Sequence, residues 1–352
     1  MTGIMQNRTL FGGGEIKSMR VALLAVPGSM RSALAGLTDM FWVANQVIMH
    51  NPSVNERVAR DRPFFEVRII TADGQPVRDA QGRNIDSEGA FNDAEACDLI
   101  IASGMELDAH KFPADRAAVS CAAQWMKMQH AQGCCVAGAC AGGFVLAEAG
   151  LLNGRHCTTT WWLYPTLLAR YPLAKPVWGK ALVAVDNVIT TGGPLSWVDL
   201  VIHIVRTQAG DRLAKLTADM SVADSQPLSQ QIYAPAGFLN AMHPLLVRAE
   251  NLIRYDNPAI TVEQLAEALN TTTRTLNRKM KTLVNESTKS FITRVRIEKA
   301  ALLLESKGKT ISQVASDCGY NDETAFRRAF TTVMGMSPGN YRARLNASAI
   351  VT

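Results

Sequence analysis

At 352 residues, 47% of them hydrophobic, the chain is long enough for two or three domains with cores of their own, which excludes a disordered or fibrous protein. Its net charge of +5 gathers at one end: about 16 basic against about 10 acidic side chains lie from residue 240 onward, and about 20 against 21 before it. Seven cysteines, an odd number without a C-x-x-C pair, exclude a disulfide framework and a zinc ribbon, and fit free thiols in a reducing cytoplasm. No apolar core follows a basic start, so no signal peptide is expected, and the glycines of the most apolar stretch, Cys134–Leu152, argue against a membrane span.

In chain order, residues 1–19 are polar, contain Gly12-Gly13-Gly14 and read as a disordered leader, with Met19 as an alternative start. Val21–Val26, an apolar run ended by Pro27-Gly28, reads as a buried parallel strand. Ala33–Met49 has helical spacing through Leu37, Met40, Phe41, Ala44 and Val47. Phe64–Thr71 and Asp98–Ala102 are further strands, the latter running into Ser103-Gly104. Ala114–Gln132 is a long helix expected to turn Ala118, Cys121, Ala122, Trp125 and Met128 inward. Cys134–Ala137 and Ala141–Ala149 form the next strand and helix. Leu182–Val185 and Val188–Thr190 then make a hairpin around Asp186-Asn187, followed by the helix Ser196–Gln208. Strand alternating with helix predicts an α/β domain over 20–215, with a mostly parallel sheet covered on both faces. Leu216–Phe238 is polar, holds Pro227 and Pro235, and reads as a linker (216–239) to an all-α domain over 240–345, before a tail at 346–352.

That second domain opens with a helix over Met242–Tyr255 and then carries one motif twice. In the downstream copy Thr310 and Gln313 make a capping box, and Ile311, Val314 and Ala315 share an apolar face. Gly319 ends that helix, Tyr320 and Asn321 turn, and Asp322 caps a second helix striped by Ala325, Phe326, Ala329, Phe330 and Val333. Upstream, Thr261 and Gln264 repeat the box, Val262, Leu265, Ala266 and Leu269 repeat the face, and Leu276, Arg278 and Met280 match Phe326, Arg328 and Phe330. Each copy is a helix-turn-helix whose second helix suits a DNA major groove. The helix between them, Phe291–Ser306, would span about 24 Å, a strut for two recognition helices one DNA turn, roughly 34 Å, apart.

Gln264–Arg344 resembles the DNA-binding domain of the AraC family of transcription regulators. The resemblance rests on Cys318-Gly319-Tyr320, Phe326-Arg327-Arg328-Ala329-Phe330, Gly335-Met336-Ser337-Pro338 and Tyr341-Arg342, with Arg296, Ala300, Leu303 and Leu304 fitting the family's linker helix. It implies seven helices, double-stranded DNA as partner, RNA polymerase as a second partner, and an activator. It also implies that Arg274, Asn277 and Arg278 on the first recognition helix, and Thr324 and Arg328 on the second, face bases. Arg327 would meet phosphate, and Lys281 would contact DNA without regard to sequence.

The other chemically suggestive stretch is Val136–Gly143, where Cys140 stands among small residues between a strand and a helix, the layout of a nucleophile elbow. A helix N-terminus there would favour a thiolate. From Arg20 to Gly210 the chain resembles the glutamine amidotransferase-like (PfpI-like) sensor domain found fused to AraC-type DNA-binding domains, which implies a flavodoxin-like fold and pairing of subunits through the sensor. Hydrolase relatives place a histidine after the cysteine, where this chain has Ala141. Many fused regulators have one in the segment where this chain has Thr160, and His156 and His203 match no base position. Cys140 is therefore expected to line a pocket rather than catalyse, and no cofactor or metal is called for. The alternatives are a cysteine-dependent amidase or hydrolase and an oxidant sensor acting through Cys140. The strand ends predict a ligand cleft formed by Gly28, Gly104 and Cys140, and the resemblance adds Trp161 from the family's pocket region. The family's effectors imply an amino acid or quaternary amine there, held against the tryptophan.

Overall fold

The computed structural model describes residues 18–50, 63–92, 97–238, 240, 243–305 and 308–348. The leader up to Lys17, Met242, Ser306 and the end of the tail lie outside the described residues. Met19, read as part of the leader, is instead buried as the first residue of strand β1, Met19–Leu24. The chain divides into two compact units at Pro227/Leu228.

In the first unit the strands are β1, β2 (Phe65–Ile70), β3 (Val77–Arg78), β4 (Asn84–Ile85), β5 (Leu99–Ala102), β6 (Cys135–Ala139), β7 (His156–Cys157), β8 (Lys175–Pro176), β9 (Leu182–Val185) and β10 (Val188–Thr191). Six of them form one sheet in the order β2-β1-β5-β6-β10-β9, parallel throughout except for β9. Successive side chains point to opposite faces, so Val21, Leu23, Leu99 and Ile101 enter one core while Ala22, Leu24, Ile100 and Ala102 enter the other. Helix α1 (Arg31–Met49) covers the first face and helix α2 (Arg116–Ala131) the second. Helix α3 (Gly143–Glu148) lies with α2, α4 is Tyr164–Arg170, and α5 (Trp197–Ala209) and α6 (Asp211–Met220) lie with α1. The β9–β10 hairpin turns through Asp186 (φ 51°) and Asn187 (φ 60°), the two positive φ angles that a tight two-residue turn requires.

The inward face of α2 differs from the expected one. Val119, Ala122, Ala123, Trp125 and Met126 are buried, whereas Cys121 is exposed and Met128 is 58% exposed. Small apolar residues ring this helix, so spacing alone did not fix its rotation. Trp125 does: its ring stacks on Phe91 at 4.6 Å and its Nε1 donates to the Phe91 carbonyl at 3.0 Å.

Of the segment read as linker, residues 216–220 complete α6, with Thr217 and Ala218 buried in the first unit. Leu228 onward packs with the second unit. Among its described residues that unit has seven α-helices: α7 (Pro244–Asn251, continued by a π turn over Leu252–Asp256), α8 (Val262–Ala268), α9 (Thr273–Val284), α10 (Thr288–Glu305), α11 (Ile311–Asp317), α12 (Glu323–Met334) and α13 (Pro338–Ser348). The last runs on into the segment read as tail.

Candidate DNA-reading face and sensor cleft

Both helix-turn-helix copies are built as their sequences dictate. Thr261 and Gln264 form a reciprocal capping box on α8, and Thr310 and Gln313 form the same on α11. Asn270 (φ 51°) and Gly319 (φ 78°) take the left-handed conformation at the equivalent place in each turn. Leu265, Ala266, Leu276 and Met280 are buried in the first copy; Val314, Ala315, Phe326 and Phe330 are buried in the second. The halves are also fixed to each other. Gly319 lies so close to the carbonyl of Pro258 that a Cβ would overlap it. On α10, Arg296 donates to the Ile260 carbonyl at 2.9 Å and lies over the Tyr320 ring at 5.8 Å.

The seven side chains expected at DNA are all exposed, on α9 and α12. Their partners sort them. Among the described residues, no hydrogen bond or ion pair holds the guanidinium groups of Arg274, Arg278 and Arg328, which leaves their donor forks open to base edges. Asn277 is already engaged: its side-chain oxygen accepts the Thr288 N–H at 3.0 Å, capping the strut helix α10. Lys281 donates to the Asn285 carbonyl at 3.2 Å at the end of α9. Arg327 pairs with Glu323 across one helical turn, Nη2 to Oε1 2.6 Å. Asp322 accepts the N–H groups of Thr324 (2.9 Å) and Ala325 (3.0 Å), and those bonds hold its carboxyl below the usual range.

In the first unit Cys140 sits between β6 and α3 with φ 56°, the strained backbone of an elbow, and is 4% exposed. Burial pushes its thiol up, with hydrogen bonds from Thr160 and the backbone opposing. The expected thiolate is therefore not favoured, because desolvation outweighs the hydrogen bonds to the sulfur. Thr160 donates to Sγ at 3.1 Å and accepts from Gly193 N at 3.1 Å, so a hydroxyl stands where a base would act. Beside it Thr191 and Ser196 bond to each other at 2.8 Å. This buried hydroxyl group was not foreseen, since its members come from three separate segments. His156 is exposed, and His203 lies on α5 with its imidazole pKa lowered by burial and by Arg206.

The four residues expected to line one cleft do not all meet. Gly104 adjoins Cys140, for a Cβ on it would lie 3.6 Å from that of Cys140. Trp161 is half-buried in the short turn after Thr160. Gly28 lies in the neighbouring loop, where Met30 N bonds to Gly104 O and Glu106 N to Gly28 O, both at 2.8 Å. It lines a cleft of about 630 Å3 with Pro27, Arg78, Asp79, Glu106 and Arg116. Gly104, Cys140 and Trp161 are not in that lining. The cleft lies beyond β1 and β5, where the strand order reverses, the place at which open α/β sheets take ligands.

A parallel sheet with an elbow cysteine, followed by a doubled helix-turn-helix, defines a DNA-binding regulator with an α/β sensor. Residues 56–207 match the DJ-1/PfpI family, and residues 265–344 match a helix-turn-helix domain. The chain is 28% identical over 295 residues to the HTH-type transcriptional regulator CdhR of Pseudomonas aeruginosa, covering 81% of this chain and 84% of that protein. It is 23% identical over 285 residues to the HTH-type transcriptional regulator GbdR of the same species, covering 80% and 76%. A crystal structure of an AraC family transcriptional regulator from Pseudomonas putida aligns with a TM-score of 0.47 at 17% identity, over 58% of this chain and 99% of that one. The chain is an AraC-family transcription regulator with an N-terminal DJ-1/PfpI domain.

Proposed function

We propose that this regulator responds to a small amine-containing metabolite bound beyond the carboxyl ends of β1 and β5, and reads DNA chiefly through Arg274, Arg278 and Arg328. The observation that carries the ligand reading is the cleft at the reversal of strand order, with the exposed Glu106 on its wall beside Arg78 and Arg116. A carboxylate there suits an ammonium, and guanidinium groups suit a carboxylate, so an amino acid or a betaine-like zwitterion fits the charges. Gly104 and Cys140 lie together outside the lining of this cleft. Cys140 serves as packing rather than as a nucleophile. A buried thiol bonded to a neutral hydroxyl has no base to accept its proton.

Calorimetry of the full chain with betaines, carnitine and basic amino acids tests this. The tightest of the panel should lose about tenfold or more in affinity on Glu106→Gln, the order expected when one charged partner of an ammonium is neutralised. Cys140→Ala should change that affinity much less. If Cys140→Ala abolishes binding while Glu106→Gln leaves it intact, the ligand sits at the elbow and the charged cleft is the wrong site.

A further inference from the structure

The segment that follows the sensor in sequence does more than connect. Gln230–Ile232 forms a short helical turn capped by Ser229, and Ile232 packs into the core of the second helix-turn-helix with Phe326, Phe330 and Met334. Ser229 lies against Gly335, the left-handed residue that ends recognition helix α12. Tyr233 accepts a hydrogen bond from Arg344 at 3.2 Å. Further along, Gly237 N donates to Glu298 Oε2 at 3.2 Å, and the buried Asn240 accepts from Arg294 Nη2 at 3.2 Å. Gly237 has φ 77°, and a Cβ on it would come within 2.8 Å of the Glu250 carboxylate, so no other residue fits there without displacing the cluster.

Glu298 is the hub. On the strut helix α10 it takes Arg294 Nη1 on Oε1 at 2.8 Å, and Arg254 Nη2 on Oε2 at 3.1 Å beside Gly237 N. Arg294, 3% exposed, reaches on to both oxygens of Glu286 at 3.1 Å, just beyond the residue that ends recognition helix α9. Arg254 bonds to Glu250 on α7, Nη2 to Oε1 2.6 Å. A hydrophobic set would hold these helices as well as two buried arginines and three half-buried carboxylates do. What the charges add is a geometry that few arrangements satisfy, because each broken pair leaves an uncompensated charge.

We infer that Glu298 is a positioning residue for DNA reading, which holds residues 228–238 and Asn240 to both recognition helices and makes that segment the relay from the sensor. Movement of the segment would be felt at Gly335 at the end of α12, and through Glu298, Arg294 and Glu286 at the end of α9. The inference rests on the DNA-reading assignment above.

The test uses the full chain and a DNA site selected from a random pool by the unmodified protein. Glu298→Gln, which faces amide hydrogens toward existing donors, should lower the preference for the selected site over random DNA by about tenfold, the scale of one lost base contact. Binding to random DNA should change far less, hydrogen exchange at residues 230–238 should accelerate, and Glu298→Asp should restore part of the preference. Gly237→Ala, which removes no charge but strains the left-handed turn of the segment and crowds the Glu250 carboxylate, should do the same and gives the reading if Glu298→Gln fails to fold. Equal losses on selected and random DNA for a folded Gly237→Ala, or exchange at 230–238 unaltered in it, would overturn the relay. Arg278→Ala and Arg328→Ala are the control: if they lose preference while Gly237→Ala does not, only the relay fails. If neither arginine variant loses preference, the DNA-reading assignment fails with it.

Discussion

The two helix-turn-helix copies share their scaffold and differ in what they do with their polar groups. The capping box of the first helix, the buried stripe and the left-handed turn residue coincide, since each is fixed by the need to fold two short helices against one strut. Where the copies diverge, the reasons are local. The second uses Gly319 where the first uses Asn270, and at Gly319 a Cβ would overlap the backbone of Pro258. The second caps its recognition helix with a carboxylate, Asp322, and the first with the hydroxyl of Thr272. Asn277 is drawn into the scaffold, whereas Arg278 and Arg328 stay open in both. Repeated positions thus build the unit, and unrepeated ones adapt each copy to its neighbours.

The widest gap between the copies should appear at the turn. Gly319→Ala must displace the Pro258 backbone in a left-handed conformation and should cost about 2–4 kcal/mol in urea unfolding, whereas Asn270→Ala should cost about 1 kcal/mol. Equal costs would mean that the Pro258 contact matters little. Next come the arginines. Arg278→Ala and Arg328→Ala should each remove about 1–3 kcal/mol of discrimination at one groove and leave the other footprint intact, a pattern that base-by-base competition would reveal.

A finer division is expected between Asn277 and Arg327. Asn277→Ala should lower stability by about 1 kcal/mol through the lost cap on α10. Arg327→Ala should barely affect melting, since its ion pair is exposed, yet weaken all DNA sequences alike and flatten the salt dependence. The smallest contrast is in acid. The carboxyl of Asp322 is lowered in the folded state, so its contribution is full above its unfolded pKa and is lost as the pH falls through the folded one, below about pH 4. The Thr272 cap has no such dependence. Melting curves of the unmodified chain and Asp322→Asn should therefore lie apart above about pH 4 and converge in strong acid.

Much of this was legible in the residues. The capping boxes, the Asp322 cap, the Asp186-Asn187 hairpin, the alternation of strand and helix and the elbow at Cys140 all reside in stretches of a few residues, where backbone preference and apolar period act directly. The face of α2 was not legible, because its apolar residues go all round and a stack on the distant Phe91 sets its rotation. Nor was the engagement of Asn277 by Thr288, since recognition and capping ask for the same polar side chain.

The sequence by itself determined the two-part order of the chain, the doubled motif and the class of regulator, because those depend on short-range patterns that survive in any packing. Only the tertiary structure decided that Thr160 is the partner of Cys140, that Gly28 opens onto a charged cleft apart from the elbow, and that residues 228–238 and Asn240 are built into the DNA-binding unit through Glu298. Each of those joins groups far apart in the chain. A hydroxyl, a glycine or a carboxylate has no periodicity that reveals its partner, so only the folded backbone, which brings the donors within 3.5 Å or excludes them, could assign it.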